Sequence, residues 1–268
     1  MRVVLSADGA AAILAAGERY AHAHDLGVTI AVVDAAGELL RLGQTEGAHR
    51  ASSRVAVDKA RTAARFARPT RSLEDEIGGG RLGALSPRGA AALTGALPLL
   101  VDGGVVGAVG TSGETADDDE AVSRAAAAAD RFATLCRPRL SRACARLAVE
   151  AVAATATARG IACVVATVDA DGELLELWRA DAAAVASIAV AIDTARTAAL
   201  YRRPSRDFEE LAASTRPSVL HLARALPLQG GVPIVLDGHV CGAMGVNGAP
   251  STADDHALAA HGATLAST

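Results

Sequence analysis

The sequence predicts an α/β chain of the α+β kind, built as two tandem copies of one domain in which helices flank an antiparallel sheet. Three observations carry this. A repeat with a constant spacing of 135 residues runs through most of the 268-residue chain. Asp-Gly and Asp-Ala-x-Gly turns separate short apolar runs, which marks hairpins and therefore antiparallel strands. Alanine-rich stretches preceded by Ser or Asp and followed by Pro read as helices.

The repeat is explicit in the residues. Val33-Asp34-Ala35 followed by Gly37-Glu38-Leu39-Leu40 recurs as Val168-Asp169-Ala170 followed by Gly172-Glu173-Leu174-Leu175. Asp58 and Ala60-Arg61-Thr62-Ala63-Ala64 recur as Asp193 and Ala195-Arg196-Thr197-Ala198-Ala199, and Arg68-Pro69 as Arg203-Pro204. Pro98, Asp102-Gly103, Gly107, Gly110 and Gly113 recur as Pro233, Asp237-Gly238, Gly242, Gly245 and Gly248, with no gap. The expected domains are residues 1–136 and 141–268, joined where Cys136-Arg137-Pro138-Arg139 can stop a helix.

Within each copy the elements follow in order. A helix near 7–24 precedes a β-branched strand at 28–33, the turn at 34–37 and a returning strand at 38–42. Ser52 or Ser53, and Ser187 in the second copy, can cap a helix that ends before Pro69 or Pro204. Ser72-x-x-Asp75 and Asp207-x-x-Glu210 have capping-box spacing for a short helix. Residues 97–101 and 105–109 form a second hairpin around Asp102-Gly103, repeated at Asp237-Gly238. The acidic run Asp117-Asp118-Asp119-Glu120 suits the positive end of a final helix dipole.

Composition excludes several functions. With 51% hydrophobic and 21% charged residues the chain can bury a core and is not disordered. Aromatics are 2% and net charge is −4, so neither base-stacking platforms nor a phosphate-binding surface is expected, and nucleic acid is not a partner. The longest apolar runs are broken by Asp, Arg or Gly, so no membrane span is expected. Asp8 interrupts any secretory leader, making the cytoplasm the expected compartment. Cys136, Cys144, Cys163 and Cys241 lack metal-site spacing and read as buried free thiols.

Several residues could carry chemistry. Arg54, Asp58, Arg61 and Arg65 project from one helix face, whereas the second copy has Ala189, Asp193, Arg196 and Leu200 there. The Asp–Arg pair reads as structural or inter-repeat, the outer arginine as peculiar to the first copy. Lys59, the one lysine among 26 basic residues, reads as a surface side chain or as a desolvated base or nucleophile. His49 replaces Ala184 and His221 replaces Ser86, making these two the candidate bases, acids or axial ligands. His22, His24, His239, His256 and His261 read as solvent-exposed. Gly78-Gly79-Gly80-Arg81-Leu82-Gly83 matches a dinucleotide fingerprint literally but follows acidic residues rather than a strand, so it reads as a loop. Gly230-Gly231 ahead of a strand can expose backbone N–H groups to a carboxylate.

Together these residues resemble the GlcG/HbpS family, the haem-binding and haem-degrading-like domain also found at the C-terminus of PduO-type adenosyltransferases. The resemblance rests on Val32-Val33-Asp34-x-x-Gly37-Glu38-Leu39-Leu40, on Ala51-Ser52-x-x-Val55-Ala56-x-Asp58-Lys59-Ala60-Arg61-Thr62-Ala63, and on Gly230-Gly231-Val232-Pro233-Ile234-x-x-Asp237-Gly238. It covers both copies. The resemblance implies a profilin-like three-layer α/β/α sandwich around a five-stranded antiparallel sheet, and a homo-oligomer of this pseudo-dimeric chain.

The function expected from it is binding of a small ligand, haem or another tetrapyrrole, at or near the inter-repeat junction. His49 or His221 would be the axial ligand; Arg54, Arg61 or Arg196 would meet the propionates, alongside Asp193, Gly230 and Gly231. The alternative is a metal-free acid/base enzyme of isomerase, lyase or cyclase type in a specialised biosynthetic pathway. There His49 or Lys59 would be the base, Asp58 or Asp193 the acid, and Arg61 or Arg196 the anion clamp.

Overall fold

The computed structural model describes residues 1–87, 89–129 and 132–267. Thr268, the expected end of the second segment, lies outside them. The chain divides into two compact units, Arg2–Arg137 and Pro138 onward. The first contains β1 (Arg2–Leu5), α1 (Ala7–Ala23), β2 (Thr29–Asp34), β3 (Leu39–Gln44), α2 (Ser52–Phe66) and α3 (Thr70–Gly78). It continues with β4 (Ala96–Val101), β5 (Gly104–Ser112), α4 (Ala116–Ala127) and β6 (Thr134–Arg137). The second contains α5 (Arg142–Ala158), β7 (Val164–Asp169), β8 (Leu174–Arg179), α6 (Ser187–Tyr201), α7 (Arg206–Ser214), β9 (Gly231–Leu236), β10 (His239–Asn247) and α8 (Thr252–Ala266).

Each unit is built on an antiparallel sheet, in the order β3-β2-β5-β4 in the first and β8-β7-β10-β9 in the second. The Asp-Gly hairpins form because both turn residues are left-handed: Asp102 and Gly103 have φ of 49° and 77°, Asp237 and Gly238 49° and 73°. In the other hairpin Asp34 Oδ1 accepts from the backbone N–H groups of Ala36 and Glu38, both at 2.9 Å, and Asp169 repeats this with Asp171 and Glu173.

Helices cover both faces, giving three layers. On one face α2 buries Ala56, Ala60, Ala63 and Ala64, together with Lys59, and α6 repeats the alanines with Ala191, Ala195, Ala198 and Ala199. Glycines in the facing strand let the helix sit close. A Cβ on Gly110 would lie 2.5 Å from the Ala56 carbonyl oxygen, and one on Gly245 2.0 Å from that of Ala191. On the opposite face Ile13, Ile30, Val109 and Val122 form the core under α1 and α4, as Val152, Val165, Met244 and Leu258 do under α5 and α8.

Several expectations are corrected. Each main sheet has four strands among the described residues, not five, and the first unit adds a separate pair, β1 with β6. Neither of these was expected; residues 134–137 do not end a helix but pair Cys136 with Val3, while α4 ends at Ala127. The capping boxes are not made, because α3 and α7 begin earlier, at Thr70 and Arg206, without a side-chain cap. Ser52 does not cap α2 either; its hydroxyl bonds the His49 carbonyl and Thr29. Thr115 and Ser251, the caps of α4 and α8, lie 136 residues apart, so one residue has been inserted after Ala249. Cys163 and Cys241 are buried, but Cys136 and Cys144 are exposed. Among the described residues no helix is long and apolar enough to cross a membrane.

One core position differs in polarity. Thr167 is wholly buried opposite Met244 and its hydroxyl has no hydrogen-bond partner, whereas the first unit has Val32 there. Leaving a buried hydroxyl unsatisfied costs about 1–3 kcal/mol. Thr167→Val should therefore raise the unfolding free energy by roughly 1–2 kcal/mol, measured by urea denaturation; a destabilised variant would show that the hydroxyl is satisfied.

Candidate functional site

The helix α6 spends its inner face on alanine, and its larger side chains Ile188 and Ile192 lie at the edge of that face, half-buried against Val164, Ala166, Ala183 and Ala191. Ile188, Ala189 and Ile192, with Val185 just before the helix, recur at helical spacing and line a shallow apolar hollow of about 430 Å³. Asp193 and Arg196 close its end and are also in the wall of a deeper cleft of about 340 Å³. That cleft lies between α6, the β7–β8 turn at Gly172, and the loop carrying Arg224 and Leu226; Leu200 completes its apolar side. Both hollows lie wholly within the second unit.

Hydrogen bonds fix the cleft's walls. Arg196 Nε donates to the Gly172 carbonyl at 2.9 Å while Nη1 lies 3.3 Å from Asp193. Thr197 Oγ1 accepts from the Leu226 backbone N–H at 2.8 Å, anchoring the loop to the helix. Arg224 adopts a left-handed backbone, φ 60°, where the first unit has Gly89 at φ 76°. That conformation costs a residue with a Cβ about 1–2 kcal/mol, and Arg224 is among the residues that line the cleft. The cleft is thus lined by two guanidiniums and two carboxylates, Arg196, Arg224, Asp193 and Glu173, beside Leu200 and Leu226, and it adjoins the apolar hollow through Asp193 and Arg196.

Of the expected site residues, Asp193 and Arg196 are in the cleft. His221 is exposed at the end of a 3₁₀ turn, Pro217–His221, three residues before Arg224. His49 is exposed in the loop before α2, where its carbonyl accepts from Ser52. Arg54 is 92% exposed and 3.8 Å from Asp58, which also lies 3.5 Å from Arg61. Arg61 Nε holds the Gly37 carbonyl at 2.9 Å, as Arg196 holds Gly172, so both arginines brace a hairpin turn. Gly230 and Gly231 do not present free N–H groups to a ligand. Both are buried, Gly231 N–H donates to Ser205 at 2.8 Å, and a Cβ on Gly231 would lie 2.0 Å from the Thr194 carbonyl oxygen. Their role is close packing. The Gly78–Gly83 run ends α3 and enters a short 3₁₀ turn, Leu82–Leu85.

Lys59 is neither a surface lysine nor an available base. It is 4% exposed, and its Nζ donates to Asp119 at 2.7 Å and to the Thr111 carbonyl at 3.1 Å. Burial raises the Asp119 carboxyl against the opposing pull of the Lys59 ammonium. Asp255 is the matching acid in the second unit: it accepts from the Ala249 N–H at 2.8 Å, as Asp119 accepts from Glu114. Thr194 stands in place of Lys59 and bonds its own helix, so Asp255 has no lysine. Burial pushes its carboxyl up to about 6, and Asp255 in turn helps raise the buried Cys163 thiol to about 11, where burial is the larger cause. His256, placed among the exposed histidines by sequence, is half-buried with Nδ1 unpartnered, and burial lowers its pKa.

Sequence reasoning missed Arg224, Leu226, Ile188, Ile192 and Asp255. Glycine giving way to arginine between copies at 89 and 224 was a readable signal. The inserted residue concealed that Asp255 matches Asp119.

A family model described as haem degrading protein HbpS-like matches the chain twice, over residues 5–128 and 140–264. Protein GlcG of Escherichia coli strain K12 is 39% identical over 111 residues, 41% of this chain and 83% of that protein. Among solved structures, a double mutant of HbpS from Streptomyces reticuli aligns with TM-score 0.46 and 30% identity, over 49% of this chain and 89% of that one. A PduOC–haem complex aligns with TM-score 0.45 and 26% identity, over 50% and 99%.

The unpaired acid has a pH signature. Its folded pKa lies above the ordinary 3.8, so its contribution to stability is full below that value and is lost as pH rises through about 6. The loss is on the order of 2–3 kcal/mol. Relative to Asp255→Asn, the wild type should lose stability between pH 4 and 7, read from denaturation midpoints; parallel pH profiles would show that Asp255 is ionised throughout.

Proposed function

The chain belongs to the HbpS-like family, and from that premise we propose that it is a haem-related binding protein whose working site is the α6 cleft of the second unit. The observation that carries this is the apolar hollow of Val185, Ile188 and Ile192 adjoining, through Asp193 and Arg196, a cleft lined by Leu200, Leu226, Glu173 and Arg224. A tetrapyrrole has this polarity: a flat apolar body with carboxylates on one edge.

The residues fit the group in that respect. The trough would take the macrocycle, and the guanidiniums would take the carboxylates by charge-assisted hydrogen bonds, which are shorter and stronger than neutral ones. Asp193 keeps Arg196 oriented. Neither hollow is lined by a histidine; His221, exposed three residues before Arg224, is the residue this reading assigns to the iron, from outside the lining. When bound, haem would supply an iron centre whose potential and reactivity depend on its axial ligand. The acid/base reading finds less support, since Lys59 is held in a buried ion pair.

Haemin titration followed at the Soret band tests this. Saturation near one equivalent per chain is expected, with affinity falling roughly tenfold or more in Arg196→Ala/Arg224→Ala, each lost charge-assisted bond being worth about 1.5–3 kcal/mol. His221→Ala should move the Soret maximum. A Soret band unchanged on mixing removes haem; binding unaffected by the arginine pair moves the site elsewhere.

A further inference from the structure

In the first unit a buried ammonium is shared by two oxygens: Lys59 Nζ lies 2.7 Å from Asp119 Oδ2 and 3.1 Å from the Thr111 carbonyl. The Ser123 hydroxyl donates to the Gly95 carbonyl at 2.7 Å. The second unit keeps these acceptors and removes both donors. Asp255, Val246 and Gly230 correspond to Asp119, Thr111 and Gly95, whereas Thr194 and Ala259 stand where the first unit has Lys59 and Ser123. The frame is otherwise the same, since the Thr111 N–H donates to the Gly95 carbonyl at 2.8 Å and the Val246 N–H to the Gly230 carbonyl at 3.0 Å. Asp255 is 2% exposed. Its Oδ1 accepts from the Ala249 N–H at 2.8 Å, the Gly248 N–H also faces the carboxylate, and Oδ2 has the Asn247 amide at 3.5 Å, the outer limit of a hydrogen bond. Among the described residues Asp255 has no ion pair; Arg159 pairs instead with Asp254, at 3.6 Å. Thr194 is no substitute for the lysine, because its hydroxyl bonds the Ala191 carbonyl at 3.1 Å. The position is also less crowded. A Cβ built on Gly95 would lie 2.9 Å from both Lys59 Nζ and Asp119 Cβ, whereas one built on Gly230 meets the Val246 carbonyl group and then Asp255 Cβ at 3.6 Å.

We infer that the second unit binds one monovalent cation of ammonium size, potassium or ammonium itself, between the Asp255 carboxylate and the Val246 carbonyl, in the place that the Lys59 ammonium takes in the first. Donor type and spacing set the class. Both groups are hard oxygens, which suit cations that bond through oxygen. The 2.7 and 3.1 Å around Lys59 Nζ are the spacing of an ammonium, wider than the roughly 2.3–2.6 Å of calcium or 2.0–2.1 Å of magnesium. One carboxylate also leaves a divalent ion half neutralised. A buried carboxylate without a counter-charge is costly, and a bridging cation gives it and the carbonyl the partner that Lys59 gives their counterparts. The duplicated chain thus exchanges a covalently tethered cation for a soluble one. None of these residues lines the α6 cleft, so the site stands apart from haem binding.

The only tryptophan, Trp178, packs against the core of the second unit, so its fluorescence reports the unfolding of that unit in the intact chain. Urea denaturation is run at about pH 8, where Asp255 is ionised, in about 0.1 M chloride of potassium, ammonium, sodium or N-methylglucamine. The wild-type unfolding constant should be about tenfold smaller in potassium or ammonium than in N-methylglucamine, as for an ion at about ten times its Kd, and the effect should saturate with concentration. Whichever of the two ions stabilises at the lower concentration is the one the site prefers. Thr194→Lys restores the tethered ammonium and should abolish the dependence on the cation, as should Asp255→Asn. The inference is overturned if the wild type unfolds at the same urea concentration in all four salts, if sodium serves as well as potassium, or if either folded variant keeps the wild-type preference. Should one variant not fold, the other decides; should neither fold, the wild type in the four salts decides alone.

Discussion

The close seating of an alanine-faced helix on a glycine-bearing strand is the constraint on which the rest of each unit depends. Side chains beyond Cβ are absent from the contact, with Gly110 under Ala56 and Gly245 under Ala191, so α2 and α6 approach their sheets at nearly backbone distance. That proximity brings the helix within one arginine's reach of the hairpin turn, where Arg61 and Arg196 bond the Gly37 and Gly172 carbonyls. Ile188 and Ile192, large residues of α6, are accommodated at the edge of that contact, half-buried beside Val164 and Ala166. An apolar hollow at that edge is the result.

The two units keep this seating and diverge around it. Lys59 and Asp119 form a buried ion pair in the first, while Thr194 and Asp255 leave a buried acid without a lysine in the second. Gly231 stands where the first unit has Ala96, and a Cβ on it would lie 2.0 Å from the Thr194 carbonyl oxygen. Glu120, which holds Arg71 and Arg124 in the first unit, gives way to His256, and Arg206 Nε and His256 Nδ1 then lack hydrogen-bond partners. Arg65 and Gly89 give way to Leu200 and Arg224. The second unit thus has apolar side chains and buried polar atoms without a hydrogen bond where the first has ion pairs, although Arg206 keeps an ion pair with Glu210 at 3.6 Å.

Much of this was legible in the residues. The repeat, the hairpins with their left-handed Asp-Gly turns, the alanine-rich helices and the α+β class follow from local patterns, because turn chemistry and side-chain periodicity act over a few residues. The exchange of Arg65 for Leu200 was visible as well, though only as a change in a helix stripe. Burial was not legible: Lys59 looked like a surface lysine because its partner, Asp119, is 60 residues away and reaches it only through the fold. Pairing of β1 with β6 was equally hidden, since strand partners across more than 120 residues leave no local mark. The cleft itself needs α6, the β7–β8 turn and the Arg224 loop at once. Local sequence determines which elements form and which faces they present, and long-range packing decides which of those faces meet, which charges are buried, and where a ligand could enter.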